Sequence, residues 1–150
     1  MVAVECLVLD DAVVALLDPV IESGKRLDHL PYRVWVLCGD SEMAEGSMWE
    51  AFQYAAFSGL DNLIAIIDVN RLGQSGETMV GWDLSAYGDR ARAFGWNSLE
   101  IDGHDLGQID SAYSNAIACE GKPTVIWART LKGKGVAAVE NKDGCHGKLI

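Results

Sequence analysis

The chain has 150 residues, 49% of them hydrophobic and 23% charged, and its formal net charge is −10. This profile is typical of one globular domain with a buried core, and its hydrophobic content excludes a disordered chain. A bilayer-spanning chain is excluded because no apolar run is long enough to cross a membrane. The acidic balance argues against general nucleic-acid binding, which needs basic surface to displace counterions.

The N-terminal stretch contains a candidate amphipathic helix over residues 10–23. Its acidic residues and the lack of an early basic cluster argue against a signal peptide. The four cysteines form no CxxC pair, which favours free thiols over a disulfide framework or a zinc site. We therefore expect a cytoplasmic protein.

A buried strand, a helix and a second buried strand come next. The runs YRVWVLC (32–38) and NLIAIIDV (62–69) are continuous and rich in β-branched residues, as in parallel strands covered on both faces. Between them, Ser47 and Glu50 fit an S-x-x-E capping box at a helix start, and Gly59 is a C-terminal stop signal. Short connections between such elements predict a parallel crossover.

The alternation of helix and strand continues along the chain. Residues 84–94 have a helical pattern, whereas WNSLEI (96–101) and PTVIWART (123–130) have strand patterns. Asp105 with Gln108 forms the capping signature of a helix between these two strands. The predicted fold class is α/β, an open, mainly parallel sheet with helices on both faces.

Polar groups follow the predicted strands at the edge where ligands bind in such sheets. Asp40 ends the first strand, Asn70 ends the second, and a loop with Lys132 follows the last. A carboxylate and an amide oxygen suit Mg²⁺, which completes its octahedral shell with phosphate oxygens and water. The alternative is that Asp40 only caps a turn and Asn70 only starts a loop. The basic excess over residues 129–148 fits either an anion site or a solvated loop.

Longer motifs point to one family. The sequence has GDS at 39–41 and DVN at 68–70. It also contains, in chain order, the segments EGSMWEA, LDNLIAIIDVNRLGQS (which includes the DVN), AFGW, DGHD, TLKGKG and HGK. In order and spacing these motifs resemble the thiamine-diphosphate-binding N-terminal region of transketolase, whose thiamine motif is a GDG at one strand end and an asparagine at the next. The resemblance implies a partial thiamine diphosphate-binding fold over residues 25–150, preceded by a divergent segment over residues 1–24.

The resemblance also implies a role for each residue that matches the motif. Asp40, the Asn70 side chain and the Leu72 carbonyl would bind Mg²⁺, with Ca²⁺ as a substitute. Gly39 and Ser41 would lie against the diphosphate of the cofactor, Ser41 through its backbone amide. Asp40 and Asn70 thereby also count as cofactor-binding residues.

Further matches concern the channel to the cofactor. Lys132 and His146 would line the cofactor and the entry of the sugar, with His146 as the catalytic residue near the diphosphate and the reacting oxygens. Glu45 resembles a glutamate at the family's dimer interface, and a favourable contact with the helix dipole is its alternative reading. Lys148 and Gln74 are weaker candidates for the same channel.

The implied activity is that of a transferase in the pentose phosphate pathway. It moves a two-carbon ketol unit from a ketose phosphate to an aldose phosphate, so the expected partners are sugar phosphates. A second transketolase domain or subunit would supply the glutamate that activates the cofactor, usually across a homodimer interface. We therefore expect the chain alone to be inactive.

Two departures from the family pattern stand out. Ser41 replaces the second glycine of the GDG motif, and residues 1–24 do not resemble the family's glycine-rich segment. His104 in DGHD is interpreted as a turn residue ahead of a helix. Two alternatives to a piece of transketolase remain, namely a related 1-deoxyxylulose-5-phosphate synthase-like thiamine enzyme and a non-catalytic interaction remnant.

Overall fold

The computed structural model describes residues 4–7, 31–74 and 76–145, with the backbone alone in the first range. The elements of this part of the chain are numbered here in chain order. The strands are β1 (Val4–Leu7), β2 (Arg33–Gly39), β3 (Leu63–Val69), β4 (Asn97–Asp102) and β5 (Thr124–Arg129). The helices are α1 (Gly46–Phe57), α2 (Leu84–Phe94) and α3 (Leu106–Ala118), and one 3-10 turn (Glu42–Ala44) precedes α1.

The strands form one sheet in the order β1-β2-β3-β5-β4. Every neighbouring pair in this order is parallel. The predicted open parallel sheet is therefore confirmed. Sequence reasoning did not identify β1, because a four-residue segment within an apolar stretch has no period that separates strand from helix.

Side chains of β3 and β5 alternate between two hydrophobic layers, as the pleat of a strand requires. Val125 and Trp127 of β5 belong to the layer that α1 and α2 cover. Ile126, between them, packs in a smaller layer with Ala112 and Ala116 of α3. Helices thus lie on both faces of the sheet, as predicted.

The helix boundaries confirm most of the capping signals and contradict one. Asp105 is the N-cap of α3, and its carboxylate accepts hydrogen bonds from the amides of Gly107 and Gln108. Gly59 follows the C-cap of α1 with a φ of 61°, which suits a glycine stop. The capping box at Ser47 is wrong, since Glu45 is the N-cap and Ser47 lies inside α1. The 3-10 turn ends at Ala44, directly before the N-cap, so α1 begins two residues earlier than a cap at Ser47 would predict.

Two further predictions can be compared with the structure. Cys38, Cys119 and Cys145 are free thiols, as expected, while the side chain of Cys6 is outside the described residues. In the part of the chain that the structure describes, we find no helix with the length and apolarity needed to cross a membrane. The candidate helix over residues 10–23 also lies outside the described residues.

Candidate functional site

The carboxyl ends of β2, β3 and β5 meet at one edge of the sheet. Gly39 pairs with Asp68 and Val69 pairs with Arg129 in the strand register, so the residues that follow these strands are neighbours. The Asp40 amide donates a hydrogen bond to the Asp68 carbonyl (3.2 Å), and the Thr130 amide donates to the Val69 carbonyl (3.1 Å). This edge is where an open α/β sheet binds ligands.

The Asp40 carboxylate is buried at this edge, with the residue only 2% exposed. Its Oδ2 accepts hydrogen bonds from the Arg71 amide (2.7 Å) and from the Thr78 hydroxyl (3.2 Å). Burial raises the pKa of Asp40 above its usual range, and the nearby Asp68 charge adds to the effect. Among the described residues we find no ion pair to Asp40, so its charge lacks the compensation that a buried carboxylate normally has.

The loop after β3 folds back on itself and brings Thr78 to Asp40. Arg71 has a φ of 62°, a left-handed conformation that costs a non-glycine residue about 1–2 kcal/mol. The Thr78 amide donates to the Arg71 carbonyl (2.8 Å), and Leu72 and Glu77 form a β-bridge between them. Strained residues of this kind are concentrated at ligand sites.

The Asn70 side chain is fixed by two hydrogen bonds. Its Nδ2 donates to Asp68 Oδ2 (2.9 Å), and its Oδ1 accepts from the Leu72 amide (3.0 Å). The other Asp68 carboxylate oxygen accepts from the Thr130 hydroxyl. These contacts set the orientation of the amide, so its oxygen is oriented toward the loop after β3.

Lys132 connects the loop after β5 to the loop after β3. Its Nζ donates a hydrogen bond to the Leu72 carbonyl (3.0 Å). A second connection joins the same loops, because Arg71 Nη2 donates to Asn141 Oδ1 (3.1 Å) and the Asn141 amide donates to the Lys132 carbonyl (2.8 Å). The structure thus brings Lys132, Leu72, Asn70 and Asp40 to the same edge of the sheet.

The structure also places the other predicted site residues that it describes. Ser41 is exposed and lines a cavity of about 270 Å³ together with Asp40 and Thr78. The Gly39 amide donates to the Glu42 carboxylate. Glu45 is an exposed N-cap residue and Gln74 is exposed on the loop after β3.

The structure leaves two predicted site residues undescribed. His146, the predicted catalytic residue, and Lys148 lie outside the described residues. Their proximity to the cofactor channel therefore stays a prediction.

The donor set at this edge fits a magnesium ion with a phosphate ligand. Within the described ranges, no three His, Cys, Asp or Glu side chains are grouped so that they could hold a metal. An ion here would take a carboxylate oxygen of Asp40, the amide oxygen of Asn70 and the carbonyl of Leu72, all of them hard oxygen ligands. The Leu72 carbonyl accepts from Lys132 with one lone pair, and its second lone pair would bind the ion. Mg²⁺ binds in this way when phosphate and water complete its shell, whereas Zn²⁺ prefers nitrogen and sulfur.

Sequence reasoning does not identify three residues that organise the site. Arg71 and Thr78 hold the Asp40 carboxylate. The Trp82 ring lies 4.7 Å from the Arg71 guanidinium and 4.8 Å from that of Arg129, and its Nε1 donates to the Thr130 carbonyl (3.2 Å). These contacts join residues far apart in the chain, and no local pattern indicates them.

Comparisons with known proteins agree with one another. A family model described as transketolase, thiamine diphosphate binding domain, matches residues 21–150. Transketolase-like protein 2 of Bos taurus is 48% identical over 128 residues, which cover 85% of this chain and 20% of that protein. Transketolase of Homo sapiens is 44% identical over 128 residues, with the same coverage of 85% and 20%.

Solved structures give the same result for the fold. Transketolase from Campylobacter jejuni matches with a TM-score of 0.74 and 28% identity, over 87% of this chain and 21% of that chain. The chain therefore spans about one fifth of the length of the relatives that it matches, here 20% for both curated proteins.

Proposed function

Because the chain belongs to the transketolase family and matches its thiamine diphosphate-binding domain, we propose that it forms the metal- and diphosphate-holding part of a ketol-transferring enzyme. Such an enzyme moves a two-carbon ketol unit from a ketose phosphate to an aldose phosphate. The observation that best supports the proposal is the buried Asp40 carboxylate, which has no ion-pair partner among the described residues.

In this proposal Asp40, Asn70 and Leu72 hold Mg²⁺ through three oxygens. The Arg71 amide and the Thr78 hydroxyl both occupy Asp40 Oδ2, and no hydrogen bond to Oδ1 is found among the described residues. A divalent cation would offset the charge of the buried carboxylate and part of the charge of the diphosphate. Lys132 places a further positive charge beside the same loop, which favours an anionic ligand on an acidic protein.

Thiamine diphosphate, when bound, supplies the carbon nucleophile and the electron sink of the reaction. The chain's own residues have the task of binding and orienting it. Gly39 and Ser41 flank Asp40 in the chain, and the Ser41 backbone amide would meet phosphate oxygens, while the Gly39 amide donates to the Glu42 carboxylate in the ligand-free chain. We place His146 near the diphosphate and the reacting oxygens of the sugar, as the family motif implies.

Calorimetry on the metal site tests this proposal. Titrating thiamine diphosphate into the chain should give weak binding that requires Mg²⁺, and Asp40→Ala should reduce the affinity about tenfold or more because a metal ligand is lost. Asp110→Ala is the matched control, since Asp110 is an exposed carboxylate on α3. Equal affinity of the wild type and Asp40→Ala would contradict the metal assignment.

Line broadening by a paramagnetic ion is a second test of the metal site, and it does not need tight binding. In the presence of thiamine diphosphate, Mn²⁺ should selectively broaden the NMR signals of Asp40, Asn70 and Leu72. Broadening spread evenly over exposed carboxylates such as Asp110 would instead indicate non-specific binding and would count against the proposal.

The region that matches this chain makes up 20% of each relative, and these relatives contain further sequence outside it. We propose that a second transketolase domain or subunit supplies the activating glutamate, within a homodimeric assembly of the cytoplasmic pentose phosphate pathway. Mixing the chain with the remaining region of a transketolase should restore transfer of a ketol unit between sugar phosphates. Complex formation without any activity would support the non-catalytic interaction remnant instead.

A further inference from the structure

The turn after β4 contacts the loop that carries Lys132. His104 Nε2 accepts a hydrogen bond from the Leu131 amide (2.8 Å), and the backbone amide of His104 donates to Asp102 Oδ1 (2.9 Å). We propose that His104 is a positioning residue for Lys132, acting through a hydrogen bond from the Leu131 amide that forms only while its imidazole is neutral. His104 lies in the turn ahead of α3, as interpreted from the sequence, and the proposal gives this turn residue a second role.

Leu131 occupies the one position between the sheet and the lysine. Thr130 is still anchored to the sheet, because its amide donates to the Val69 carbonyl (3.1 Å). Lys132 reaches the Leu72 carbonyl with its Nζ (3.0 Å). The Leu131 amide, between these two anchors, has its hydrogen bond to His104. A shift of Leu131 would therefore move Lys132 relative to the Leu72 carbonyl.

The two segments are packed closely enough for this hydrogen bond to matter. The Gly103 amide donates to the Arg129 carbonyl (2.8 Å). A Cβ atom at Gly103 would lie only 2.6 Å from Thr130 Cγ2, so a side chain there would push the turn away from the strand end. Gly103 thus permits the close approach that places the His104 ring against Leu131.

The chemistry of imidazole makes the contact depend on protonation. A ring nitrogen accepts a hydrogen bond from an N–H group only when it carries no proton, so neutral His104 must hold its hydrogen on Nδ1. In the imidazolium form both nitrogens are donors, and Nε2–H would oppose the Leu131 N–H. The Leu131 amide would then lose its partner, which lowers the local stability of the loop.

Charged groups of both signs surround His104. They come from β4, from the turn itself, from β5 and from the loop after it, and they are Glu100, Asp102, Asp105, Arg129 and Lys134. The neighbouring α3 contributes the neutral Gln108. A change in the Leu131 contact that follows the ¹⁵N shifts of the His104 ring points to His104 itself rather than to these neighbours.

NMR spectroscopy of the ¹⁵N-labelled chain without ligand tests the positioning role. Long-range ¹⁵N–¹H spectra should show His104 as the Nδ1–H tautomer, and its own ¹⁵N shifts define its titration. As His104 becomes protonated, the exchange protection factor of the Leu131 amide should fall about tenfold. Unchanged protection across that titration would overturn the proposal.

Two substitutions separate the hydrogen bond from the general packing of the turn. His104→Gln places a non-titrating carbonyl oxygen near the Nε2 position, so Leu131 protection should persist and lose its pH dependence. His104→Phe keeps a ring but no acceptor, so protection should be low at every pH. Amide protection within α3 checks that both variants keep their fold. Retained Leu131 protection in His104→Phe would also overturn the proposal.

The consequence for the ligand rests on the proposed function. Binding of thiamine diphosphate with Mg²⁺ should weaken more strongly in acid in the wild type than in His104→Gln, whose remaining pH dependence comes from protonation of the diphosphate itself. If the Leu131 amide behaves as expected but Mg²⁺-dependent binding is absent at all pH values, the proposed function fails while the positioning role stands. If Mg²⁺-dependent binding occurs but the protection of the Leu131 amide does not change with His104 protonation, the positioning role fails while the proposed function stands.

Discussion

The layer between the sheet and helices α1 and α2 differs in kind from the carboxyl edge of the same sheet. In the layer, aromatic rings stack on one another, with Phe52 and Trp96 centroids 4.2 Å apart and Tyr87 and Trp127 centroids 5.1 Å apart. The one indole N–H of Trp96 donates to the Phe52 carbonyl (2.7 Å). Burial of this layer combines large apolar area with satisfied polar groups, which stabilises the fold.

The carboxyl edge contains the opposite features. Asp40 is a buried carboxylate without an ion-pair partner among the described residues, and Arg71 has a left-handed backbone conformation. Both features cost free energy in the absence of a ligand. The difference indicates that the aromatic layer supplies stability, and that part of this stability offsets the cost of the buried charge and the left-handed residue at the edge. Tyr87 belongs to the layer and also lines the cavity beside Asp40, so the two regions are in contact.

The largest effect is expected in the aromatic layer. Phe52 is fully buried and contacts the rings of Trp49, Trp96 and Trp127, so Phe52→Ala should leave a cavity and lower the free energy of unfolding by about 3–5 kcal/mol. Urea denaturation measures the change. Phe57→Ala is the control on the same helix, because Phe57 is 86% exposed and its loss should change stability by less than about 0.5 kcal/mol. Equal effects of the two substitutions would contradict the comparison.

A smaller effect of opposite sign is expected at the edge. Burial raises the pKa of Asp40, so the ionised carboxylate destabilises the folded chain above that pKa, and the penalty disappears as the pH falls below the ordinary value for aspartate. Asp40→Asn should therefore raise the free energy of unfolding at neutral pH by about 1 kcal/mol in metal-free buffer. Asparagine keeps an oxygen that can accept from the Arg71 amide, whereas Asp40→Ala does not.

Thermal unfolding with and without Mg²⁺ and thiamine diphosphate measures this trade-off. The wild type should gain stability on addition of both, because a ligand that binds only the folded state shifts the unfolding equilibrium. Asp40→Asn should start from a higher Tm and gain little. A lower metal-free Tm than that of the wild type would show that the buried charge is not a cost.

The smallest effect is expected at the helix cap on the other face of the sheet. The Asp105 carboxylate accepts from the Gln108 and Gly107 amides and from the Gln108 side chain, and these hydrogen bonds lower the pKa of Asp105. A lowered pKa stabilises the fold above the unfolded value of about 4, and the contribution is lost as the pH falls through the folded value. Asp105→Ala should therefore lower Tm slightly at pH 6, and the gap to the wild type should narrow at pH 3. A gap that is constant or grows in acid would exclude this role of the cap.

Local sequence patterns were sufficient for most elements of the fold. The continuous runs at 32–38, 62–69 and 123–130 predicted β2, β3 and β5 within one or two residues, and the helix pattern over 84–94 coincides with α2. These predictions succeeded because a continuous apolar run and a helical spacing of apolar residues can both be read from neighbouring positions in the chain. The family resemblance is also confirmed by the match over residues 21–150.

Tertiary structure decided the features that depend on distant residues. The sequence by itself placed Asp40 and Asn70 at strand ends, because parallel strands present their carboxyl ends to one edge. It could not indicate that Thr78 would donate to Asp40, or that His104 would accept from the Leu131 amide. Each of these contacts joins two loops that follow neighbouring strands but are far apart in the sequence. Which loops meet depends on the strand order and on the left-handed turn at Arg71, and only the packed chain determines both.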